Sequence, residues 1–382
     1  MRALFVTSPG LGHLFPTVPL AQALRAAGHE VRYATGGLSL AVSDAGLDVM
    51  DVTPGLDYLK VYMPDEADGE ADAANPMFAD DPDDLALAKL FGRVSGVMVD
   101  GTLAAARSWS PDLVISPPLQ GAGPLVAAAL NLPHVELRLG SYDSGARLAE
   151  TVRAAMAAHY DRHGVTGEPR ARAQITMFPP SFQALLPEQR RSPGAWPMRY
   201  VPYNGGAVLP DWLLRPAEKP RIAVTLGTIE AQWGGIAMLA PLLAAAGGVD
   251  AEFAVTLGGG DAALLGELPP NVRIVEWAPL DVLLETCSAV IHHGGSGTTM
   301  TAVAAGIPQC VLPRGSYQQT GGDLLPRRGI GIVSEPESVG VTECQTLLKD
   351  EALRDAARQA RDELLSMPAP ADLVARLAGL AR

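Results

Sequence analysis

Short apolar runs alternate with helical patterns along the 382-residue chain, and this alternation is what most constrains its fold. Each run has the length of a strand, ends at a turn rich in Gly or Pro, and leads into apolar residues at helical spacing. This order is typical of parallel α/β units, in which buried strands alternate with helices. The predicted strands are residues 3–7, 31–34, 113–115, 134–137, 222–226, 252–257, 273–277, 289–292 and 309–312. The predicted helices are residues 16–27, 124–130, 238–246, 298–305, 354–365 and 370–381.

A stretch rich in proline interrupts this alternation. Nine prolines lie between residues 178 and 220, which is too many for a helix or a central strand. The length of 382 residues also favours two domains over one. We therefore predict two α/β units facing each other across a cleft, with ligands at the carboxyl ends of the strands. The predicted segments are a domain of residues 1–209, a linker of 210–220, a domain of 221–366 and a terminal helix within 367–382.

The net charge of −13 excludes partners that require a basic surface. We therefore expect no binding to nucleic acid or to anionic membranes. Nine acidic residues and no Lys or Arg lie in residues 64–84, so much of this charge is local. We predict a flexible lid in this segment, within the first predicted domain.

Neither the first residues nor the apolar stretches indicate a membrane protein. The N-terminus lacks the apolar core and cleavage site of a signal peptide. The longest apolar stretch without charge, residues 113–135, contains four prolines. The three cysteines have no CxxC spacing, which argues against a disulfide framework or a zinc site. We expect a cytoplasmic protein with reduced, structural cysteines and no membrane span.

The turn after the first predicted strand holds Gly10, Gly12 and His13. Glycines let the backbone approach a ligand, and the following helix start offers free N–H groups. A dinucleotide fingerprint needs a third glycine where this chain has Phe15, so NAD binding is not predicted. His13 is suited to accept a proton near neutral pH. A packed or helix-capping histidine is the alternative, and spacing alone does not decide between the two.

The most informative motif lies in residues 289–306. An apolar run leads into two histidines, three glycines and several hydroxyl residues, and a helical pattern follows. Helix N–H groups and the helix dipole favour an anion here, and His293, Ser296 and Thr298 add hydrogen-bonding groups. The motif predicts a diphosphate site. No Gly-Lys-Ser/Thr is present, so a Walker loop is excluded, and a purely structural turn is the alternative.

Two further stretches could contribute to the same site. Trp277 could stack on a nucleobase while the backbone of Ala278 bonds the edge of the base, or it could belong to the core. Residues 225–228 end a predicted strand with a glycine and hydroxyl groups that could meet the other side of a diphosphate.

Two patterns suggest metal ligands, and neither is complete. Residues 81–83 match a DxD motif but lie in the acidic segment, without a strand pattern around them. His159 and His163 have helical spacing but no apparent third ligand, so we interpret them as part of a solvated helix face. The sequence therefore predicts no metal site.

Together these motifs resemble those of the GT-B nucleotide-sugar glycosyltransferases that decorate bacterial natural products. The resemblance rests on residues 10–16, 225–228, 277–280 and 292–298 and covers nearly the whole chain. The sequence is especially similar to the calicheamicin glycosyltransferases, which use deoxysugars activated by thymidine diphosphate (TDP). This resemblance implies two Rossmann-like domains, with the acceptor in the N-terminal one, the donor in the C-terminal one, and the last helix packing back on the first.

The resemblance also implies a role for each matched residue. His13 resembles the general base of a single displacement, which inverts the anomeric carbon. A TDP-sugar would be the co-substrate, and neither a metal nor another cofactor is expected. The residues that match the donor site are Gly227, Thr228, Trp277, Ala278, His293, Gly295, Ser296, Gly297 and Thr298. The residues proposed for the sugar are Gly12, Ser316, Gln318 and Gln319.

Two positions depart from the family. Many relatives orient the catalytic histidine with an Asp where this chain has Ser116. The family's acidic residue and Gln that hold sugar hydroxyls map to 318–319 or to 315–316, and neither pair contains a carboxylate. Asp323 could substitute for the missing acid. Fewer strong acceptors would suit a sugar with fewer hydroxyls.

The predicted function is transfer of a sugar, expected to be a deoxysugar, from a TDP donor to a hydroxyl of a hydrophobic aglycone of polyketide or enediyne type in antibiotic biosynthesis. One alternative is a nucleotide-sugar epimerase of the same fold, which would act without an acceptor. Another is a non-catalytic nucleotide-binding helper of a partner transferase. The oligomeric state is left open, with a homodimer as one alternative.

Overall fold

The structure is a computed structural model that describes residues 1–62, 85–140, 146–191, 193–228 and 235–382. Contacts divide the chain into two compact units. Unit 1 is Met1–Tyr200 with Met367–Arg382, and unit 2 is Val201–Ser366. The predicted acidic lid at 64–84, which includes the DxD match, lies outside the described residues.

Unit 1 is built on a seven-stranded sheet. Its strands are β1 (Arg2–Val6), β2 (Glu30–Thr35), β3 (Asp48–Asp51), β4 (Leu113–Ser116), β5 (His134–Arg138), β6 (Arg172–Thr176) and β7 (Trp196–Pro197). They lie in the order β3-β2-β1-β4-β5-β6-β7, and every paired strand runs parallel. The central strands β1 and β4 are almost continuously apolar and buried, as expected for a parallel sheet covered on both faces.

Unit 2 is built on a six-stranded parallel sheet. Its strands are β8 (Arg221–Thr225), β9 (Glu252–Thr256), β10 (Val272–Val275), β11 (Ala289–His292), β12 (Gln309–Val311) and β13 (Gly331–Val333). They lie in the order β10-β9-β8-β11-β12-β13. Fully buried residues of β8, β9 and β11 form the centre of its core. The first six strands of both units therefore share one order.

Helices connect the strands in both units. The α-helices in the described ranges are α1 (Leu11–Leu14), α2 (Val18–Ala26), α3 (Tyr58–Tyr62), α4 (Leu85–Trp109), α5 (Ala122–Ala129), α6 (Ala146–Ala155), α7 (Ala157–Arg162), α8 (Pro180–Leu185), α9 (Ala240–Ala245), α10 (Leu280–Glu285), α11 (Ser296–Ala305), α12 (Ser316–Gly322), α13 (Leu324–Arg328), α14 (Val341–Lys349), α15 (Glu351–Ser366) and α16 (Val374–Leu380). Short 3-10 helices are Phe15–Thr17, Gly37–Ala45, Glu188–Arg190, Gly235–Leu239, Ala246–Gly248, Ala262–Leu265 and Pro370–Leu373. No helix in these ranges is both long and apolar enough to cross a membrane.

The last residues of the chain pack on unit 1. The 3-10 helix Pro370–Leu373 contacts α2. The Arg376 guanidinium lies over the ring of Trp196, 4.0 Å from its centroid. Arg170 donates a hydrogen bond to the carbonyl of Ala381 at 3.1 Å. Unit 1 therefore combines both ends of the chain.

Residues 201–220 group with unit 2, although the sequence predicts a linker at 210–220. The guanidinium groups of Arg221 and Arg273 each lie 5.0 Å from the ring centroid of Trp212. Leu213 is buried in a further apolar cluster of unit 2, which we call the second apolar cluster to distinguish it from the core described above. The prolines of this stretch prevent regular structure, but its aromatic and apolar side chains still pack on the sheet, and the division between the units falls after Tyr200.

The prediction of two parallel α/β units is confirmed, while several elements within them differ. All nine predicted strands are present, but β10 ends at Val275, so the prediction that it extends to Trp277 is wrong. The sequence did not indicate β3, β6, β7 or β13. Nor did it indicate the 25-residue helix α4, which follows the acidic segment.

Candidate functional site

We call residues 292–298 of unit 2 the β11 turn, because they join β11 to α11. Gly294 has φ +92°, in the left-handed region that favours glycine. A Cβ atom at this residue would also lie 2.9 Å from Cγ1 of Val311. Gly295 precedes α11 and provides no side-chain cap. The positive end of a ten-residue helix therefore opens directly from the turn.

His293 lies between two glycine-containing turns. A Cβ atom on Gly227 would lie 2.8 Å from Cε1 of His293, and one on Gly295 would lie 2.5 Å from its Nε2. The two glycines therefore leave the space that the imidazole occupies. Nδ1 of His293 is buried and has no hydrogen-bond partner within the described residues. Buried polar atoms normally have a partner, so an atom in this condition calls for a functional explanation.

Burial lowers the pKa of His293 to about 4, and the backbone of Thr225 offsets part of this effect. The ring is therefore neutral at pH 7 and has one N–H group to donate. A neutral imidazole beside a helix N-terminus can bind an anion without repelling the helix dipole.

The end of β8 supports the same edge of the sheet. Thr225 is the register partner of His292, so the ends of β8 and β11 are neighbours. The Thr225 hydroxyl oxygen accepts a hydrogen bond from the Gly227 N–H at 3.2 Å and another from the Thr256 hydroxyl at 2.8 Å. These bonds hold the main chain of Gly227, whose φ is +68°. Thr228 is the next residue in the chain. The structure thus brings Thr225 and Gly227 beside His292 and His293, although the two stretches are far apart in sequence.

Trp277 is exposed over 46% of its surface, so the alternative that it belongs to the core is wrong. It follows the end of β10 by two residues, on the carboxyl side of the sheet. Ala278 is buried and packs in the second apolar cluster of unit 2. The exposed indole of Trp277, next to the buried Ala278, is therefore available for stacking.

Three of the four residues predicted to hold the sugar, Ser316, Gln318 and Gln319, lie on α12. The Gln318 side chain is fully buried, accepts a hydrogen bond from the Arg314 N–H at 2.6 Å, and donates one to the Tyr317 hydroxyl at 3.0 Å. A sugar hydroxyl would have to displace one of these bonds to reach the amide. Gln319 instead donates to the exposed carboxylate of Asp323 at 2.6 Å. The structure therefore pairs Gln319 with a carboxylate one helical turn away.

In unit 1, His13 lies in the short helix α1, in residues 8–14, which we call the His13 turn. Its half-buried ring meets the ring of Phe91 on α4 edge to face, with centroids 4.8 Å apart. No carboxylate among the described residues shifts the pKa of this imidazole. Burial lowers its pKa to about 4, so it is unprotonated at pH 7 and able to accept a proton.

Neighbouring side chains fix the backbone of the His13 turn. The Tyr62 hydroxyl donates a hydrogen bond to the carbonyl of Pro9 at 3.1 Å. The Gly10 N–H donates to the Ser39 hydroxyl oxygen at 2.8 Å. The turn is therefore preorganised, with the His13 ring set against an apolar surface. Gly12 is exposed, and a Cβ atom there would meet nothing within 4 Å.

Ser116, which stands where many relatives have Asp, is buried and bonded elsewhere. Its hydroxyl lies 2.8 Å from Nε2 of His134 on the neighbouring strand. A Cβ atom on Gly123 would lie 2.6 Å from this hydroxyl oxygen, so the space around it is filled. The serine thus belongs to a buried pair and offers His13 no carboxylate.

Other sequence candidates have structural partners. Within residues 1–62, 85–140, 146–191, 193–228 and 235–382, no group of three or more His, Cys, Asp or Glu could hold a metal ion. His163 and Arg162 both pair with Asp100, at 2.8 and 2.9 Å. The three cysteines are buried and free, and burial raises each thiol pKa to about 12.

Three further residues near these turns were not identified from the sequence. His292 and Gln309 form a buried pair beneath the β11 turn. The signal for Gln309 was present, because it is a polar residue at the start of an otherwise apolar strand. Phe91 gave no signal, since the helix that carries it was not predicted.

Sequence comparisons place the chain among known proteins. The family described as "Erythromycin biosynthesis protein CIII-like, N-terminal domain" matches residues 22–227, and the corresponding C-terminal domain matches residues 240–380. The elloramycin glycosyltransferase ElmGT of Streptomyces olivaceus is 40% identical over 99% of this chain and 97% of its own.

Structural comparisons agree. The crystal structure of the glycosyltransferase SnogD from Streptomyces nogalater is 60% identical, has a TM-score of 0.91, and is covered over 100% of both chains. The spinosyn rhamnosyltransferase SpnG complexed with thymidine diphosphate is 31% identical, with a TM-score of 0.81 over 99% of this chain and 100% of its own. SpnG is also known in complex with spinosyn aglycone.

Proposed function

Because the chain belongs to the erythromycin biosynthesis protein CIII-like family of GT-B glycosyltransferases, whose members act in antibiotic biosynthesis, we propose that it transfers a deoxysugar from a TDP-sugar to a hydroxyl of a hydrophobic aglycone. The transfer inverts the anomeric carbon. The observation that carries the proposal is the unpartnered Nδ1 of His293, held between two glycines at the open start of α11.

In this proposal unit 2 binds the donor. His293, the N–H groups at the start of α11 and Thr228 bind the diphosphate, and the exposed Trp277 stacks on thymine beside the backbone of Ala278. Support comes from the chemistry of these groups, since a neutral imidazole that donates a hydrogen bond and a helix N-terminus both stabilise a diphosphate. As the bond to the sugar breaks, the same groups stabilise the charge that develops on the departing TDP. In this proposal the diphosphate contacts the main chain of Gly295, Ser296, Gly297 and Thr298.

In unit 2 the sugar would contact α12. We propose that Gln319 and Asp323 together replace the acidic residue and Gln of the family, because their side chains are hydrogen-bonded to each other. Ser316, the first residue of α12, adds a hydroxyl to this proposed contact. Gln318 positions the loop before α12 through its bond to Arg314.

His13 accepts the proton of the acceptor hydroxyl as the hydroxyl oxygen attacks the anomeric carbon. One C–O bond forms to the acceptor while the C–O bond to the diphosphate breaks, and the proton remains on the imidazole. A pKa near 4 keeps the base unprotonated, but it also makes a weak base. Binding of the anionic donor would raise this pKa, which would strengthen the base when the donor is present.

We propose that no metal or cofactor takes part, because the groups that face the diphosphate can supply the stabilising charge. For the acceptor, a polyketide-type aglycone agrees with the natural-product names of the relatives. The resemblance to calicheamicin enzymes extends the proposal to enediynes, although neither relative's name refers to one.

The test is a screen of TDP-deoxysugars against aglycones, with products identified by mass spectrometry and the anomeric configuration by NMR. We expect a glycoside of inverted configuration, formed equally with and without EDTA. Donor incubated alone should stay unchanged, whereas an epimerase would alter its sugar. A clear preference for UDP-glucose over TDP-deoxysugars would contradict the proposed donor, and product with retained configuration would contradict the mechanism.

A further inference from the structure

His292, the residue before the proposed phosphate ligand, is fully buried and has no role in the function proposed above. The Gly294 N–H donates a hydrogen bond to its Nδ1 at 3.1 Å. Its Nε2 lies 3.0 Å from Oε1 of Gln309, the first residue of β12. Both ring nitrogens therefore have partners on different parts of the chain.

The two bonds define the form of the ring. Nδ1 accepts from Gly294, so it carries a lone pair, and the hydrogen must reside on Nε2 and be donated to Gln309. The amide N–H of Gln309 then donates to the carbonyl of Thr299 in α11 at 3.4 Å. A protonated ring would place two hydrogens against each other at Gly294. Burial favours the neutral form and lowers the pKa of His292 to about 3.

This chain of bonds links the three elements that define the β11 turn. His292 ends β11, Gly294 is the left-handed residue of the turn, and Thr299 lies in the first turns of α11. Gln309 joins them from β12. Displacement of any member would change the direction in which α11 and His293 face a ligand.

We propose that His292 and Gln309 are positioning residues that hold the β11 turn in the conformation that binds the diphosphate. They contact no ligand themselves and act through Gly294 and Thr299. The proposal rests on the proposed function, because it takes TDP as the ligand of this turn.

The test compares TDP with thymidine, which lacks the diphosphate, by isothermal titration calorimetry on the full chain. For His292→Leu we expect TDP affinity to fall about tenfold or more, as for a lost hydrogen bond at a buried turn, while thymidine affinity stays within about twofold. His292→Asn can still accept from Gly294 through its amide oxygen, so it should retain more of the TDP affinity than His292→Leu. Gln309→Leu should resemble His292→Leu.

Two comparisons separate positioning from general loss of stability. His134→Leu removes a buried histidine from unit 1 and should leave the ratio of TDP to thymidine affinity unchanged. In a His293→Ala background, Gln309→Leu should cost less TDP affinity than in the wild type, because part of its effect acts through His293. If His292→Leu does not fold, Gln309→Leu decides in the same assay.

An unchanged affinity ratio in His292→Leu and Gln309→Leu would overturn the proposal, as would an equal loss for TDP and thymidine. Failure of the proposed function gives a different result, since the wild-type chain would then show no affinity for TDP.

Discussion

The ends of β4 and β11 occupy the same place in the strand order of the two sheets, yet only one of them is open. We call residues 116–122 of unit 1 the β4 turn. There the start of α5 is closed by the protein itself: the Ala122 N–H donates to Gln120 Oε1 at 2.7 Å, and the Gly121 N–H donates to the Ser95 hydroxyl oxygen at 2.8 Å. In the β11 turn the Gly294 N–H donates to His292 Nδ1, while Gly295, the residue before α11, has no side chain to cap the helix.

Beneath both turns lies a histidine paired across neighbouring strands. Ser116 ends β4 and bonds His134, the first residue of β5, while His292 ends β11 and bonds Gln309, the first residue of β12. The register is also shared, because the partner in each case lies opposite the residue two positions before the strand end. The two helix starts therefore differ in the side chains beside them, which come from Gln120 and Ser95 in unit 1 and are absent from Gly295 in unit 2. A helix start next to glycine leaves room for an anion.

Because side chains close the β4 turn, His13 remains the residue of unit 1 that we propose as the general base. Replacing His13 by Ala should lower kcat about 10²–10⁴-fold, the scale of general-base catalysis, because no other group would accept the proton. Steady-state kinetics with a turned-over donor and acceptor measure this. His159→Ala, a histidine on α7, is the matched control and should keep full activity. Near-full activity of His13→Ala would remove the residue from the mechanism.

The paired histidines of the two units predict acid sensitivity. Burial lowers the pKa of both His134 and His292 to about 3, so in the unfolded chain each binds a proton below pH about 6.5, whereas in the folded protein it does not until far lower pH. The unfolded state therefore binds more protons between these values, and acid favours unfolding. We expect about 2 kcal/mol lost per histidine between pH 7 and pH 5.

Urea unfolding at the two pH values measures this loss. His134→Asn should lose less stability on acidification than the wild type, by the contribution of one histidine, whatever its stability at pH 7. An identical pH dependence in the variant would show that His134 is not held neutral in the folded state.

Because the β11 turn is not closed by side chains, we predict that His293 contributes to the affinity for the diphosphate. His293→Ala should weaken TDP binding about 10–100-fold, the range for a hydrogen bond to a charged group, since Nδ1 of His293 has no partner within the described residues. Calorimetry with TDP gives the effect, and thymidine serves as the ligand that should not respond. TDP affinity equal to that of the wild type would exclude direct contact.

Closure of the β4 turn predicts a smaller effect, on stability alone. Gln120→Ala should destabilise the protein by about 1–2 kcal/mol, because it leaves the buried Ala122 N–H without an acceptor. Ser296→Ala, at the start of α11, should change the unfolding free energy by less than about 0.5 kcal/mol, since this side chain caps nothing. An equal loss of unfolding free energy in the two variants would show that the two turns do not differ in how side chains cap the helix start.

Much of the fold was predictable, because buried parallel strands appear as apolar runs bounded by turns. The strands that were missed show why the rest was not. β3 carries an Asp at each end, and β6 begins Arg-Ala-Gln, so neither forms an apolar run. β7 has two residues and β13 three, which is too short for any pattern.

The candidate site was predictable where the motif is local. The β11 turn could be placed because strand, glycines and helix follow each other directly, and the exposure of Trp277 agrees with one of its two interpretations. The contact between His13 and Phe91 could not, since it joins residues far apart whose meeting depends on tertiary packing. The roles of the site residues, the absence of a metal, the lid and the homodimer remain predictions.

The return of the last residues to unit 1 has a consequence for synthesis on the ribosome. Arg376 packs on Trp196, and the Arg199 N–H donates to the carbonyl of Pro368 at 2.7 Å, so unit 1 lacks part of its structure until translation ends. Unit 2 is continuous in sequence and leaves the exit tunnel earlier than those residues. Although synthesis of unit 2 starts later, all of its residues are made before those of unit 1 are complete. Until residues 367–382 are added, the nascent protein therefore carries an incomplete unit 1. A premature stop near residue 366 would damage the start of the molecule rather than its end.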